Sequence, residues 1–223
     1  MPLDLATLLG EMRADPLKFL RQYNLSIAGG AAGGPSGVAT FSFYDYQTTM
    51  KGFTTGWSGM CGKQKDRPRI RFTKQAGAAQ PNPLVANDEF NAHYVAMIQD
   101  DVALGATHHA LPNTGPNTDG NPDIMLTSQL TGCSFGIGSP AQGATLVTHI
   151  QPNQRADFGA QTFGQHLHDS VVAGFAGGGH RIFEKSNPQT AQGYGNVRAT
   201  VIGIRGEGGW EFYAQRYDRV VIS

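Results

Sequence analysis

The sequence predicts an α+β fold, a central and mainly antiparallel β-sandwich flanked by a few helices. Three observations carry this reading. Thirty glycines and twelve prolines in 223 residues punctuate the chain too often for long helices. Short apolar segments alternating with period two recur along most of its length, and helical periodicity is confined to two places. The C-terminus carries the strongest β signal, a meander of three closely spaced strands.

The elements follow in order. Leu5, Leu8, Leu9 and Met12 form one helical face, and Leu17 and Leu20 continue it after a break. Asp15 before Pro16 has the form of an N-cap followed by proline at the first helical position, so two short helices are expected within 3–25. Residues 27–37 are rich in Gly and Ala and read as a linker or long loop. Val38–Tyr46 is an alternating aromatic strand with Phe41 and Phe43 on one face. Arg69–Thr73 and Ala92–Gln99 are further strands, separated by a Pro/Ala/Asn loop, and His108–Asn121 reads as a loop. Thr127–Cys133 and Leu146–Ile150 read as a hairpin with its turn at Ser139–Gly143. Gln161–Phe175 repeats Phe163, Leu167, Val171 and Phe175 at every fourth position, a helical stripe stopped by glycines. Arg181–Lys185 is a short strand. Val197–Ile204, Trp210–Arg216 and Arg219–Ile222 form the meander. The expected organisation is therefore a helical segment (1–26), a linker (27–37) and a single main domain (38–223).

Composition narrows the function. Lys+Arg and Asp+Glu both number 17, giving zero net charge, which disfavours nucleic acid or an anionic membrane as the main partner. No segment approaches the ~20 apolar residues of a membrane span, and the N-terminus lacks a basic region followed by an apolar core, so any export is expected to use another route. Two cysteines, Cys61 and Cys133, do not make a disulfide scaffold; a single disulfide or free thiols fit equally.

The stretch Thr127-Ser128-Gln129-Leu130-Thr131-Gly132-Cys133, with His149 downstream, holds the best candidate chemistry. A thiol beside an imidazole on one sheet face is the minimal apparatus for acyl transfer through a thioester. Gly132 lets a substrate carbonyl approach the backbone closely, and the Cys133 amide N–H can donate to an oxyanion formed there. His149 would take the thiol proton and return it to a departing amine, and an ion pair with imidazolium would hold the thiolate. The other imidazole nitrogen needs a fixing partner; a backbone carbonyl or hydroxyl of Thr127–Gln129 is a candidate. Against this stands the commoner case of a cysteine buried inertly in a strand.

Leu130-Thr131-Gly132-Cys133 with His149-Ile150 resembles the Leu-Ser/Thr-Gly-Cys plus downstream His signature of bacterial glutamine deamidase toxins, the family of cytotoxic necrotizing factor and Burkholderia lethal factor. Thr131 stands where serine is usual, and the Cys-to-His spacing of 16 residues is a few longer than in the lethal factor. The meander over 195–217 is similar to that factor's final strands. The resemblance implies a β-sandwich with flanking helices and hydrolysis of a protein glutamine side-chain amide to glutamate and ammonia, without metal or organic cofactor. It implies Cys133 as nucleophile, His149 as acid–base and Thr127 as the support of His149. It further implies a toxin or effector acting in a target cell's cytoplasm on a host or competitor protein. A transglutaminase or thiol protease would use the same residues, and a β-rich binding module with a core cysteine is the non-enzymatic alternative.

The remaining motifs are weaker. His166 and His168, at i and i+2 on a helix, point apart and do not favour a shared metal. His108-His109 reads as plain loop. Cys61 lacks a nearby histidine, and no phosphate-binding glycine loop occurs.

Overall fold

The computed structural model describes residues 3–29, 35–52, 65–75, 89–99, 108–131, 133–141, 143–151, 179–183, 198–216 and 220–222. The predicted stripe at 161–175, Cys61, Gly132, His166 and His168 lie outside them. Among the described residues two helices, α1 (Leu5–Ala14) and α2 (Pro16–Gln22), precede thirteen strands. Asp4 caps α1 by accepting from Thr7 N at 2.8 Å, and Asp15 both ends α1 and caps α2, accepting from Lys18 N at 2.9 Å with Pro16 behind it. The expected break between helices therefore sits where the cap chemistry places it.

Eight strands form one sheet: β1 (Asn24–Ala28), β3 (Lys65–Lys74), β2 (Gly37–Gly52), β4 (Glu89–Val95), β7 (Ile124–Thr127), β11 (Ala199–Gly206), β12 (Gly209–Arg216) and β13 (Val220–Ile222), in that spatial order. A second sheet runs β10 (His180–Phe183), β8 (Ser134–Ala141), β9 (Ala144–Gln151) and β5 (Met97–Gln99), with β6 (His109–Pro112) also paired to β9. Pairing is mixed: β1 with β3, β4 with β7 and β5 with β9 are parallel, the rest antiparallel. The described residues are mainly β with two short helices, in the α+β class.

Several expectations need correction. Ile27 and Ala28, assigned to the linker, end strand β1 opposite Phe72 and Thr73. Ala92–Gln99 is two strands, because the chain leaves the eight-stranded sheet at Val95 and joins the other sheet at Met97. The expected loop at 108–121 begins with strand β6. Thr127–Cys133 is not one strand of a hairpin. Thr127 ends β7, Leu130 alone bridges Ala199, and the chain then crosses to β8, which pairs with β9. The β8–β9 turn is also tighter than expected, since Ala141 already pairs with Ala144 and Gly143 supplies φ +82.

Burial explains the layering. Phe41, Phe43, Ile70 and Phe72 alternate with half-buried neighbours, and join α1 and α2 in one apolar cluster with Ile124, Leu126, Ile202 and Ile204. The alternate residues Val95, Met125, Ala199 and Val201 face the other way, into a second cluster with Leu111, Phe135, Val147 and Phe183 of the five-stranded sheet. Strands β7 and β11 are thus covered on both faces, which is why they read as continuous apolar runs rather than alternating ones. Arg13 pairs with Asp123 at 2.8 and 3.0 Å, tying α1 to the residue that precedes β7.

Gln215 of β12 holds the helical segment in place. Its side chain donates to Leu20 O and Tyr23 O and accepts from Leu25 N, all buried. Replacing Gln215 with Leu strands those three backbone groups, so the midpoint of urea unfolding should fall by an equivalent of about 2–4 kcal/mol with the slope unchanged.

Candidate active site

The site forms where the chain crosses between sheets twice. Val95-Ala96-Met97 makes the first crossing. Val95 pairs with Thr127 in one sheet and Met97 with His149 in the other. Between them Ala96 is buried, and its N–H donates to Ser36 Oγ at 3.0 Å, so the crossing leaves this donor satisfied. The second crossing runs from Thr127 to Ser134, tethered midway by reciprocal bonds between Leu130 and Ala199 at 2.8 and 3.0 Å.

These crossings bring Thr127 and His149 together from different sheets. Thr127 Oγ1 lies 2.8 Å from Val95 O and 2.6 Å from His149 Nδ1. A carbonyl oxygen carries no hydrogen, so the hydroxyl proton must point at Val95 O. The hydroxyl oxygen then accepts, and Nδ1 of His149 must be the protonated nitrogen. The imidazole is thereby fixed in the Nδ1–H tautomer, with its lone pair on Nε2. Nε2 is buried and has no hydrogen-bond partner among the described residues. Thr127 and His149 are each 0% exposed.

Cys133 is in no disulfide and is 2% exposed, packed in the second apolar cluster. It precedes Phe135 by two residues, and Phe135 pairs with His149. Cys133 immediately precedes β8 and shares the second apolar cluster with Phe135, the residue that pairs with His149. The thiol–imidazole hydrogen bond expected from the sequence is not made. Cys133 Sγ donates instead to Met97 Sδ at 3.6 Å. Burial pushes the Cys133 thiol up, weakly opposed by a backbone hydrogen bond from Thr131, and burial pushes His149 down to about 3. Both groups are neutral near pH 7, so the expected thiolate–imidazolium pair is replaced by a neutral thiol and a neutral base.

Sequence reasoning missed two contributors. Val95 acts through its backbone carbonyl, which has no sequence signature, and Met97 looked like one more apolar strand residue. His109 is also more than loop. Its ring lies 5.9 Å from that of His93, which in turn meets Trp210 at 5.7 Å. Burial, then the neighbouring His109 and Arg205, hold His93 down to about 4, with Asn121 pulling weakly the other way. Among the described residues no three His, Cys, Asp or Glu side chains gather to hold a metal ion.

The buried histidines set the acid response. An unfolded histidine titrates near 6.5, whereas His149 and His93 resist protonation in the fold until about 3 and about 4. Below pH 6.5 the unfolded chain takes up protons that the folded chain refuses. Stability is therefore full at neutral pH and falls as pH drops from about 6.5 toward 4, by up to about 1.4 kcal/mol per pH unit for each histidine. Urea midpoints at pH 7, 5.5 and 4.5 should show this fall, and His93→Phe should make it shallower.

No family model matches the chain, and no curated protein matches it. Four solved chains do. One is the C-terminal domain of CNFy from Yersinia pseudotuberculosis, at TM-score 0.41 and 7% identity over 94% of this chain and 91% of that one. Likeness of that degree assigns no family.

Proposed function

We propose that this chain is a cysteine-dependent amide hydrolase, a protein glutamine deamidase with Cys133 as nucleophile, His149 as general base and acid, and Thr127 as the group that orients His149. The observation that carries the reading is the tautomer. Thr127 spends its proton on Val95 O and therefore obliges His149 to present a bare lone pair at Nε2, buried and unpartnered. A buried acceptor left unmade costs about 1–3 kcal/mol; His93 and His109 also carry unpartnered ring nitrogens, and what sets His149 apart is that Thr127 fixes which nitrogen is bare. The choice of glutamine over other amides is supported by the resemblance of Leu130–Cys133 and His149 to the deamidase-toxin signature. The same resemblance supports taking the two sheets as that family's sandwich.

The reaction begins with neutral partners. The Cys133 S–H proton passes to His149 Nε2 as sulfur attacks the carboxamide carbon, so the thiolate forms only during attack. The oxyanion is held by the Cys133 backbone N–H, and Gly132 leaves room for the approach. His149 returns the proton to the departing nitrogen, and ammonia leaves a thioester. Water then attacks the thioester, giving its proton to His149 and releasing glutamate and the Cys133 thiol. Thr127 keeps the lone pair on Nε2 throughout. No step draws on a metal or organic cofactor. The substrate is a protein bearing the target glutamine, in the cytoplasm of a host or competitor cell that the chain reaches as a toxin or effector.

One observation favours the non-catalytic reading, a β-rich binding module with a structural cysteine: Cys133 is 2% exposed, and burial raises its thiol. The two separate cleanly. Target-cell extract incubated with the protein and analysed by mass spectrometry should show a glutamine gaining one mass unit, with ammonia release. Cys133→Ser should abolish it with the fold intact, and Thr127→Val should lower kcat by roughly 10²-fold or more through loss of the tautomer lock. A binding module gives no shift with any variant. Incorporation of an added amine marks a transglutaminase, and chain cleavage a protease.

A further inference from the structure

Three residues of the site are sealed from solvent, and the fourth is not. Thr127 and His149 are 0% exposed and Cys133 is 2% exposed, whereas Met97 is half-buried. Met97 is also the residue whose sulfur receives the Cys133 thiol, at 3.6 Å, and whose backbone pairs with that of His149. It is thus the partly exposed residue in contact with the nucleophile. Methionine is unbranched and has three rotatable bonds, so it can change rotamer at low cost inside otherwise rigid strands. On the reading of Cys133 as nucleophile, we propose that Met97 is the gate and specificity residue of this site. Its thioether seats the thiol away from the base at rest. When it swings out, it opens a slot of its own dimensions.

That slot selects by shape. A methionine side chain extends two methylenes and then a sulfur and methyl; a glutamine side chain extends two methylenes and then a planar carboxamide. An unbranched side chain of this length replaces Met97 without enlarging the slot, and its amide carbon arrives where the thiol has just been released. β-Branched or ring side chains do not fit. The gate also explains how a deeply buried thiol serves a protein substrate: attack awaits entry of the side chain, and until then water and small electrophiles are excluded.

The test measures Cys133 alkylation by iodoacetamide, read peptide by peptide so that Cys61 is scored separately, together with ammonia release from the same samples. Met97→Ala removes the gate and should alkylate roughly tenfold or more faster than the unmodified protein, since thiol access limits the rate. Met97→Ile keeps the bulk but stiffens it and should alkylate more slowly. Phe72→Leu, in the other apolar cluster, controls for loss of stability. Equal rates for Met97→Ala and the unmodified protein overturn the gate, as does equal acceleration by Phe72→Leu. The expected alkylation order without deamidation by any variant upholds Met97 as the cover of the thiol but overturns the deamidase reading and, with it, the selection of glutamine. Deamidation with a flat alkylation series overturns the gate alone.

Discussion

Everything at the candidate site depends on the crossing at Val95-Ala96-Met97. A strand leaving one sheet for another normally exposes backbone groups. Here Ala96 N–H is caught by Ser36 Oγ, and Val95 O by the Thr127 hydroxyl. The second of these bonds does more than satisfy a carbonyl. By consuming the only proton on the Thr127 hydroxyl, it dictates the hydrogen on His149 one bond further on. A requirement of backbone hydrogen bonding is in this way converted into the protonation pattern of an imidazole.

Electrostatics then runs against the usual picture of a cysteine dyad. Both partners sit in an apolar layer between sheets, where charge separation is expensive. Burial favours the thiol over the thiolate and imidazole over imidazolium. The layer that makes the site inert at rest is the same one that makes the histidines acid-sensitive.

The helical segment contributes at a distance. Arg13 fixes Asp123, at the start of the strand that ends in Thr127, and Gln215 knits the turn after α2 to β12. Both faces of the eight-stranded sheet are thus occupied, one by helices and one by the second sheet, and β7 is held in a register that leaves Thr127 opposite Val95.

The two capped helices, the aromatic strand at Phe41 and Phe43 and the C-terminal meander were legible because each is local: a cap residue, a proline or an alternation of neighbours decides it. Cys133 and His149 were legible as candidates in residue type and spacing, and Thr127 only through the resemblance. The partition between sheets was not. The alternation over Thr127–Cys133 looks like one strand, yet it is a strand end, a single bridge at Leu130 and a crossing. A period of two records which face a residue occupies but not which sheet it belongs to. The roles of Val95 and Met97 were likewise invisible, since a backbone carbonyl has no residue type and a core methionine looks like any other. The sequence by itself determined the β-rich class and which residues stand as candidates for the site. Only the tertiary structure decided that the thiol rests on Met97, that His149 holds its proton on Nδ1 and that both groups are neutral, because each follows from contacts between segments distant in the chain.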